Sequence, residues 1–458
     1  MQYRIVFPVM IFLWSLMLST MSGAMAPRLN VPVIFPKDFK WCVATSAHQI
    51  EGGNENSDWW DWEQTPGHIK NGDRSGRAPG HWDHLDEDVR LLQDLHVGQY
   101  RFSVEWAKIE PQPGVWNWDA VAHYKTELAL LRSAGVEPMV TLHHFTLPRW
   151  FAAQGGWENA AAPELFARYA TFVMTNIGPE VHDWITINEP MVHLVQGYMS
   201  GFFPPGRKGG FKTVMPPMIG LLHAHAAAYH AMHAIAATPG HVAIRIGIAH
   251  HLRVFDPPHG LHPLDSFLAG KFDHAFNWAF INAIETGKLK LWIPFAIRVN
   301  MRLPDVAHTQ DFIGVNYYGR DIVSLKFDAV GFSLSVEKNS GLSDLGWEIY
   351  PHGFYRILKA VAKRYPDKKI FITENGIADA KDAKRAKFLE DHLREMARAM
   401  REGVQVEGYC HWSLLDNFEW GEGFAPRFGL YEVDYTTLAR KARPSARRFG
   451  EIATQNAL

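Results

Sequence analysis

The sequence has few cysteines and almost no net charge. Only Cys42 and Cys410 occur among 458 residues, so a chain of this size depends on its hydrophobic core for stability and not on a framework of disulfides. The formal net charge of −2 provides no basic field for nucleic acid or for an anionic membrane surface, and neither partner is expected. With 47% hydrophobic and 21% charged residues, the composition is that of a folded globular protein.

Charged residues are also scarce at the amino terminus. Arg4 is the only charge before Arg28, residues 5–18 are almost wholly apolar, and Ala24-Met25-Ala26 has the form of an A-x-A cleavage site. We therefore expect residues 1–26 to be a secretory signal peptide and the mature chain to be exported, to the periplasm or the medium, without a membrane segment. An uncleaved anchor is the alternative, because the uncharged stretch 5–27 is just long enough to span a bilayer.

No linker, charge block or internal repeat interrupts residues 27–458, which indicates one domain. Short runs of β-branched and aromatic residues alternate with amphipathic helical patterns, as in a parallel α/β sheet. Eight strands are predicted, at residues 41–45, 100–104, 137–143, 183–188, 242–250, 311–316, 369–374 and 408–412. Because eight is the number that closes such a sheet, the predicted fold class is α/β, a single (β/α)8 TIM barrel with elaborated active-site loops.

Predicted helices lie between these strands, at residues 84–95, 119–134, 163–177, 218–237, 353–365 and 380–401. The connection at 318–347 is too long for an ordinary strand-to-helix loop and contains two short runs of alternating character, 322–325 and 332–336. We expect these runs to form a β-hairpin beside the mouth of the active site.

Two glutamates stand where barrel enzymes carry their catalytic groups, at the carboxyl ends of strands. Glu189 follows the fourth predicted strand and Glu374 ends the seventh. Strands four and seven lie on opposite sides of an eight-stranded ring, so the two carboxyl groups are expected to face each other across its mouth. Hydrolysis of a glycosidic bond requires such a pair, one group to protonate the leaving oxygen and one to attack or to activate water.

The sequence resembles glycosyl hydrolase family 1, the β-glucosidase-like enzymes, over residues 39–448. The matching segments are ATSAHQIEG at 44–52, YRFS at 100–103, TLHHF at 141–145, TINEP at 186–190, DFIGVNYY at 311–318, TENG at 373–376 and WSLLDNFEW at 412–420. The resemblance implies a retaining, exo-acting β-glycosidase, most simply a β-glucosidase, that removes terminal β-glycosyl residues from a small glycoside or oligosaccharide. It also implies that the enzyme works without a cofactor or a metal.

The resemblance further assigns roles to individual residues. Glu374 is implied to be the nucleophile and Glu189 the general acid and base, with catalytic support from Arg101, Asn316 and Tyr318. Substrate binding is implied for Gln49, His144, Asn188, Trp347, Trp412, Glu419 and Trp420. A separation of about 5 Å between the two carboxyl groups would leave no room for an inserted water and predicts retention.

The two glutamates need different protonation states. We expect Arg101 and Tyr318 to depress the pKa of Glu374, because a nearby cation and a hydrogen bond both favour the charged carboxylate. The charge on Glu374 is then expected to raise the pKa of Glu189, so that it starts protonated.

Two residues depart from the family pattern, His48 where Tyr is frequent and Phe145 where Trp is frequent. Both are expected to alter the pocket wall and not the chemistry. Three alternatives fit the pattern less well. A binding module without activity would have lost a catalytic glutamate, a thioglucosidase would carry Gln in place of Glu189, and a 6-phospho-β-glycosidase would avoid the carboxylate of Glu419, which repels a phosphate.

The paired histidines and the two cysteines raise the question of further sites. His143-His144 and His250-His251 are not expected to chelate a metal, because adjacent strand residues point to opposite faces. Cys42 and Cys410 fall on the first and eighth strands, which are neighbours in a closed barrel. Their distances along the chain from Gln49 and Trp412 place them at different heights, so we expect free thiols, with a disulfide as the alternative in an oxidising compartment.

Overall fold

The computed structural model describes residues 33–258, 263–294, 296–326, 331–337 and 341–458. The predicted signal peptide, residues 1–26, lies outside the described residues, and its cleavage stays a prediction. Among the helices of the described ranges, none is long and apolar enough to cross a membrane.

The predicted barrel is confirmed. Its eight strands are Lys40–Ala44, Gln99–Ser103, Glu137–His143, Asp183–Asn188, Arg245–His251, Phe312–Tyr317, Lys369–Asn375 and Val406–Trp412. All neighbouring pairs are parallel, and the strands follow one another round the ring in chain order until the eighth closes on the first. Each strand is covered on both sides, which explains why runs such as Ile370-Phe371-Ile372 are apolar throughout instead of alternating.

Side chains fill the interior of the barrel, so it is a packed core and not a channel. One buried cluster within it contains Cys42, Met139, Ile185, Ala249, Phe312, Phe371 and Cys410. The two glutamates stand above this packed layer, at the carboxyl ends of the strands.

The expectation of free thiols is wrong. Cys42 and Cys410 are direct neighbours across the first and eighth strands, with Cα atoms 4.1 Å apart, and they form a disulfide. Each cysteine lies two residues before the end of its strand, where Ala44 pairs with Trp412. The expected difference in height along the barrel was wrong because it used the number of residues from Cys42 to Gln49. Gln49 lies on the short helix Ala47–Ile50 that follows the strand, and residues of this helix do not extend the strand.

The main helices match the predicted ones, with shifted ends. They are Leu85–Asp94, Trp118–Ser133, Ala162–Asn176, Phe211–Ala236, Pro351–Arg364 and Arg385–Arg401. A further helix at the carboxyl terminus, Pro444–Gln455, was not predicted. The largest difference is at Phe211–Ala236, which was predicted to begin at residue 218. Pro216 and Pro217 lie inside this helix and remove two backbone donors, so the local sequence favours a later start than the packed structure adopts.

The predicted hairpin at the mouth is also confirmed, as antiparallel strands Arg320–Lys326 and Gly331–Ser335, with Val254–Asp256 alongside. A second hairpin, Lys288–Ile293 with Ile297–Arg302, was not predicted. Two segments have the wider π-helical turn. Val195–Ser200 continues the helix Pro190–Leu194, and Asp273–Trp278 continues the helix Pro263–Phe272 and is followed by the helix Ala279–Thr286. The shorter helices are Asp58–Glu63, Trp106–Ile109, Arg149–Ala153, Lys70–Gly72, His81–Asp83, Gly156–Glu158, Pro304–Val306 and Trp420–Glu422, and the remaining strands are Tyr431–Val433 and Arg440–Ala442.

Candidate active site

The carboxyl ends of the barrel strands surround a cavity of about 610 Å³. Ten of the twelve residues predicted for the site line it: Gln49, His144, Asn188, Glu189, Tyr318, Trp347, Glu374, Trp412, Glu419 and Trp420. The other two, Arg101 and Asn316, are fully buried directly beneath the lining and contact the two glutamates. The structure thus brings together residues that are up to 371 positions apart in the chain, from Gln49 to Trp420.

Glu374 is held by a cation and a hydroxyl group. Arg101 Nη1 donates to Oε1 of Glu374 at 2.6 Å, and the hydroxyl of Tyr318 donates to Oε2 at 2.6 Å. Each oxygen of the carboxyl group therefore accepts a charge-assisted hydrogen bond, and the two bonds set its position and favour its charged form. The same Arg101 nitrogen also donates to the carbonyl of Thr373, which anchors the end of the seventh strand.

Glu189 is held by different partners. Asn316 Nδ2 donates to Oε1 of Glu189 at 2.8 Å, and His251 Nδ1 lies 3.0 Å from the same oxygen. The backbone of Glu189 has a φ of 45°, in the left-handed region that costs a non-glycine residue about 1–3 kcal/mol. The bond from its amide to the carbonyl of Ala249 helps to hold this conformation at the end of the fourth strand.

A buried polar network joins the two glutamates. Arg101 Nη2 donates to Oδ1 of Asn188 at 2.6 Å, and Asn316 Nδ2 reaches the same oxygen at 3.2 Å. The hydroxyl of Thr373 donates to Oδ1 of Asn316 at 2.6 Å, which fixes the orientation of that amide. The amide of Asn188 then contacts Nε2 of His144 at 3.1 Å, so that both side chains are oriented towards the cavity.

The electrostatics of the site differ from the expectation in one respect. Burial raises the pKa of Glu374 to about 7, and the Glu189 carboxylate adds to this rise, while Arg101 and Tyr318 oppose it. Burial also disfavours the ionised form of Glu189, but His251 and Asn316 outweigh burial and lower its pKa. The order of the two groups is therefore the reverse of the expected one. The sequence analysis weighed Arg101 against Glu374 alone and did not include the imidazole beside Glu189.

Glu419 stands on the opposite wall together with Gln49. Gln49 Nε2 donates to Oε2 of Glu419 at 3.2 Å and to Oδ1 of Asn417 at 2.9 Å. Burial raises the pKa of Glu419 to about 8, and the charges of Glu374 and Glu189 add to the rise. This wall therefore offers amide and carboxyl groups that can pair with vicinal hydroxyls.

Aromatic side chains form the remaining walls. The ring of His144 lies parallel to those of Trp412 and Trp420, with centroids 5.8 and 6.0 Å away. The two departures from the family pattern both contact Trp420: His48 stacks on it at 5.7 Å and Phe145 meets it edge-on at 5.1 Å. Burial lowers the pKa of His48 to about 3, so this imidazole packs as a neutral ring. The departures thus alter the support of Trp420 and leave the carboxyl groups untouched.

The histidine pairs divide between two environments, as expected from strand geometry. His144 and His251 line the cavity. His143 packs against Trp157 on the other side of its strand, and His250 lies next to Gln310.

Two features of the site were missed in the sequence. His251 was considered only as half of a metal pair, although its position at the end of the fifth strand places it beside Glu189. The other is a large apolar extension of the cavity, formed by helices that follow the fourth and fifth strands. Its signal was present as apolar residues at helical spacing, which are equally typical of ordinary core packing.

Comparison with known proteins agrees with this geometry. Residues 31–458 match the model of glycosyl hydrolase family 1. The chain is 34% identical to β-glucosidase A of Thermotoga maritima over 93% of its own length and 98% of that protein, and 30% identical to a β-galactosidase of Pyrococcus woesei over 92% and 98%.

Solved structures give the same result. A β-glycosidase from Pyrococcus horikoshii superposes with a TM-score of 0.85 at 37% identity, covering 93% of this chain and 96% of that one. The Thermotoga maritima β-glucosidase in complex with glucoimidazole superposes with a TM-score of 0.85 at 33% identity, covering 93% and 100%. The family model spans nearly the whole chain and both relatives are at least 30% identical to it, so the chain belongs to glycosyl hydrolase family 1, whose members are retaining β-glycosidases.

Proposed function

We propose that the protein is an exo-acting β-glucosidase in which Glu374 is the nucleophile and Glu189 is the acid and base. The observation that carries this proposal is the different surroundings of two buried carboxyl groups in one cavity. Glu374 has a guanidinium group and a tyrosine hydroxyl as partners, whereas Glu189 has an amide and an imidazole. A nucleophile needs the first setting, since both partners stabilise a carboxylate that is poised for attack.

The reaction then proceeds in two displacements. In the first, Oε2 or Oε1 of Glu374 forms a bond to the anomeric carbon as the bond from that carbon to the leaving oxygen breaks, and Glu189 transfers its proton to that oxygen. In the second, Glu189 removes a proton from water as the water oxygen attacks the anomeric carbon and the ester bond to Glu374 breaks. Two inversions give net retention, and Glu189 ends protonated as it began.

The proton of the pair has to reside on Glu189 before the first displacement. Burial disfavours the ionised form of Glu189, and the charge on Glu374 acts in the same direction, although His251 and Asn316 outweigh them and lower its pKa. The first displacement nevertheless needs the proton on Glu189, because this group protonates the leaving oxygen. Arg101 and Tyr318 meanwhile favour the ionised form of Glu374. We therefore assign the proton to Glu189 and the charge to Glu374 in the reactive state.

The sugar is proposed to bind through its hydroxyls to Gln49, His144, Asn188, Glu419 and Trp420, above the indole of Trp412. A glucoside is favoured because relatives at 34% and 31% identity are named as β-glucosidases and a Thermotoga maritima β-glucosidase has been solved in complex with glucoimidazole. A 6-phosphate is disfavoured, because Glu419 would repel it when ionised and cannot neutralise it when protonated. The presence of both glutamates also argues against a binding module without activity.

A panel of substrates tests the proposal. Nitrophenyl β-glucoside, β-galactoside, β-fucoside and 6-phospho-β-glucoside are assayed with the native protein and with Glu374→Ala. We expect the β-glucoside to give the highest kcat/KM and the Glu374→Ala protein to hydrolyse none of them. Preference for the phosphorylated sugar, or equal hydrolysis by the variant, contradicts the proposal.

We further propose that the mature chain is exported after removal of residues 1–26. Support comes from the order of charged, apolar and A-x-A segments in the sequence and from the disulfide between Cys42 and Cys410, a bond that is typical of oxidising compartments.

A further inference from the structure

The cavity extends well beyond the two glutamates, and apolar helix faces form its outer part. Met191, Val195 and Met199 recur every four residues along Pro190–Leu194 and its π-helical continuation. Phe211, Val214 and Met218 follow one another at spacings of three and four residues along the first turns of Phe211–Ala236. Such a stripe normally packs against a protein core. Here two stripes line open space that is continuous with the catalytic carboxyl groups.

A third element completes this apolar wall. Phe272 and Phe276 line the cavity where the helix Pro263–Phe272 passes into its π-helical continuation, and Leu291 lines it from the adjacent hairpin. Leu334, on the second strand of the mouth hairpin, and Trp347, which follows that hairpin in the chain, also line the cavity. Leu334 is 49% exposed and Phe202, also in the lining, is 66% exposed. The apolar surface therefore reaches from the catalytic end of the cavity out to solvent.

Few polar side chains line this outer part, and the charged ones lie beside groups of opposite charge. Arg253 and Asp321 form an ion pair at 3.1 Å. Glu422 is paired with Lys70 at 3.0 Å, and Nδ1 of His68 lies 3.0 Å from the carbonyl of Trp62. A second sugar ring bound here would have to compete for these groups to satisfy its hydroxyls, and each hydroxyl left without a partner would weaken binding. A hydrocarbon makes no such demand.

From this wall we propose that the aglycone of the natural substrate is a long aliphatic chain, so that the enzyme acts on alkyl or lipid-like β-glycosides in preference to oligosaccharides. The inference rests on the proposed β-glucosidase activity and names the other half of its substrate. The sugar ring occupies the polar end between Glu189 and Glu374, and the chain leaves from the anomeric oxygen along Met199 and Phe211 towards Phe202.

A homologous series of substrates tests this directly. Methyl, butyl, hexyl and octyl β-glucosides release alcohols of nearly equal reactivity, so differences in kcat/KM report binding of the chain. We expect kcat/KM to rise roughly threefold for each added methylene, through a falling KM, because each buried methylene gains transfer free energy. Cellobiose is expected to fall below octyl glucoside. A flat series, or cellobiose above octyl glucoside, overturns the inference.

Variants test whether the dependence of kcat/KM on chain length arises from the apolar wall of the cavity. Met199→Asp and Phe202→Asp introduce a charge beside the chain and are expected to flatten the series, measured as the ratio of kcat/KM for octyl glucoside to kcat/KM for methyl glucoside within each variant. Phe267→Asp is the matched control, because Phe267 is 46% exposed and lies outside the lining. A series that stays equally steep in both wall variants overturns the assignment.

Failure of the proposed activity is distinguishable from failure of this inference. If the native protein hydrolyses no β-glucoside, the proposed function fails, and binding then tests the chain site separately. Octyl 1-thio-β-glucoside, which resists hydrolysis, should bind more tightly than methyl 1-thio-β-glucoside and with a more negative heat-capacity change, since apolar surface is buried. Equal affinity and equal heat-capacity change for the two compounds overturn the inference.

Discussion

Nδ1 of His251 lies 3.0 Å from Oε1 of Glu189, across two neighbouring strands of the barrel. The imidazole is thus the one ionisable side chain in hydrogen-bonding contact with this carboxyl group among the described residues, while Asn316 supplies a neutral donor to the same oxygen. Arg101 and Glu374 act on Glu189 from further away, with opposite signs. His251 is therefore in a position to set the pH at which Glu189 loses its proton.

Replacing His251 is expected to extend activity to higher pH. The imidazole lowers the pKa of Glu189, so its loss raises that pKa, and Glu189 is active in the first displacement as the protonated acid. The alkaline limb of the kcat/KM profile should move to higher pH in His251→Leu, and by less in His251→Asn, which keeps a neutral donor. His250→Leu is the control, since His250 lies next to Gln310 on the other side of the strand. An alkaline limb that stays in place in His251→Leu contradicts this role.

Tyr318→Phe is expected to weaken the nucleophile. It removes the hydroxyl that donates to Glu374 at 2.6 Å, and a hydrogen bond to a charged group is worth about 1.5–3 kcal/mol, or roughly 10- to 100-fold in kcat/KM. Because that hydrogen bond lowers the pKa of Glu374, the acidic limb should also move to higher pH.

The neighbouring residue supplies the control for this prediction. The hydroxyl of Tyr317 donates to the carbonyl of Tyr350, away from the cavity. Tyr317→Phe should lower stability by about 1 kcal/mol and leave the acidic limb where it is. An equal loss of kcat/KM and an equal shift in both variants would show that the effect is one of packing.

Replacement of each glutamate is expected to block a different step of the reaction. Glu374→Gly should not hydrolyse any β-glycoside, yet it should transfer an α-glycosyl fluoride to an external acceptor, because that donor mimics the missing covalent intermediate. Product analysis by NMR checks this. An inactive Glu374→Gly protein with the fluoride, together with normal folding by circular dichroism, counts against Glu374 as the nucleophile.

Glu189→Ala should still form the glycosyl intermediate from dinitrophenyl glycosides, whose leaving group needs no proton, and should fail with alkyl glycosides. Azide should restore turnover, since it needs no general base. The expected product is the β-glycosyl azide, because a second inversion follows the first. Isolation of the α-azide would reverse the assignment of the two glutamates.

The disulfide is expected to be detectable in solution and to stabilise the fold. The unfolded protein should show no free thiols before reduction and two after it. Cys42→Ala combined with Cys410→Ala should lower the free energy of unfolding by about 2–5 kcal/mol, because the bond restricts the unfolded chain. Denaturant midpoints and rates of thermal inactivation measure the loss. Two free thiols in the unreduced protein would contradict the bond.

Export is tested by the amino terminus of the mature protein. Sequencing of the protein produced in cells should begin at Pro27, after cleavage behind Ala26. Retention of Met1 in a membrane pellet would instead indicate an uncleaved anchor.

The barrel and the positions of the two glutamates at its strand ends could be predicted from local patterns in the sequence. Eight strands could be counted because their runs of β-branched and aromatic residues are local patterns, and Glu189 and Glu374 could be located because each directly follows or ends such a run. Ten of the twelve predicted site residues line the cavity. This agreement arises because the carboxyl ends of all barrel strands, and the loops that follow them, lie at the same end of the barrel.

Features that depend on strand register and on helix orientation could be recognised only in the folded structure. The pairing of Cys42 with Cys410 follows from how the last strand aligns with the first, and no local pattern encodes that alignment. The contact of His251 with Glu189 depends in the same way on the register of two strands. Met199 and Phe211 lie on two different helical segments, and the packing of these segments leaves space between them. Apolar periodicity identifies which face of a helix is apolar, but it does not tell whether that face packs against other residues or lines a cavity. The cavity lined by apolar side chains could therefore be recognised only in the folded protein.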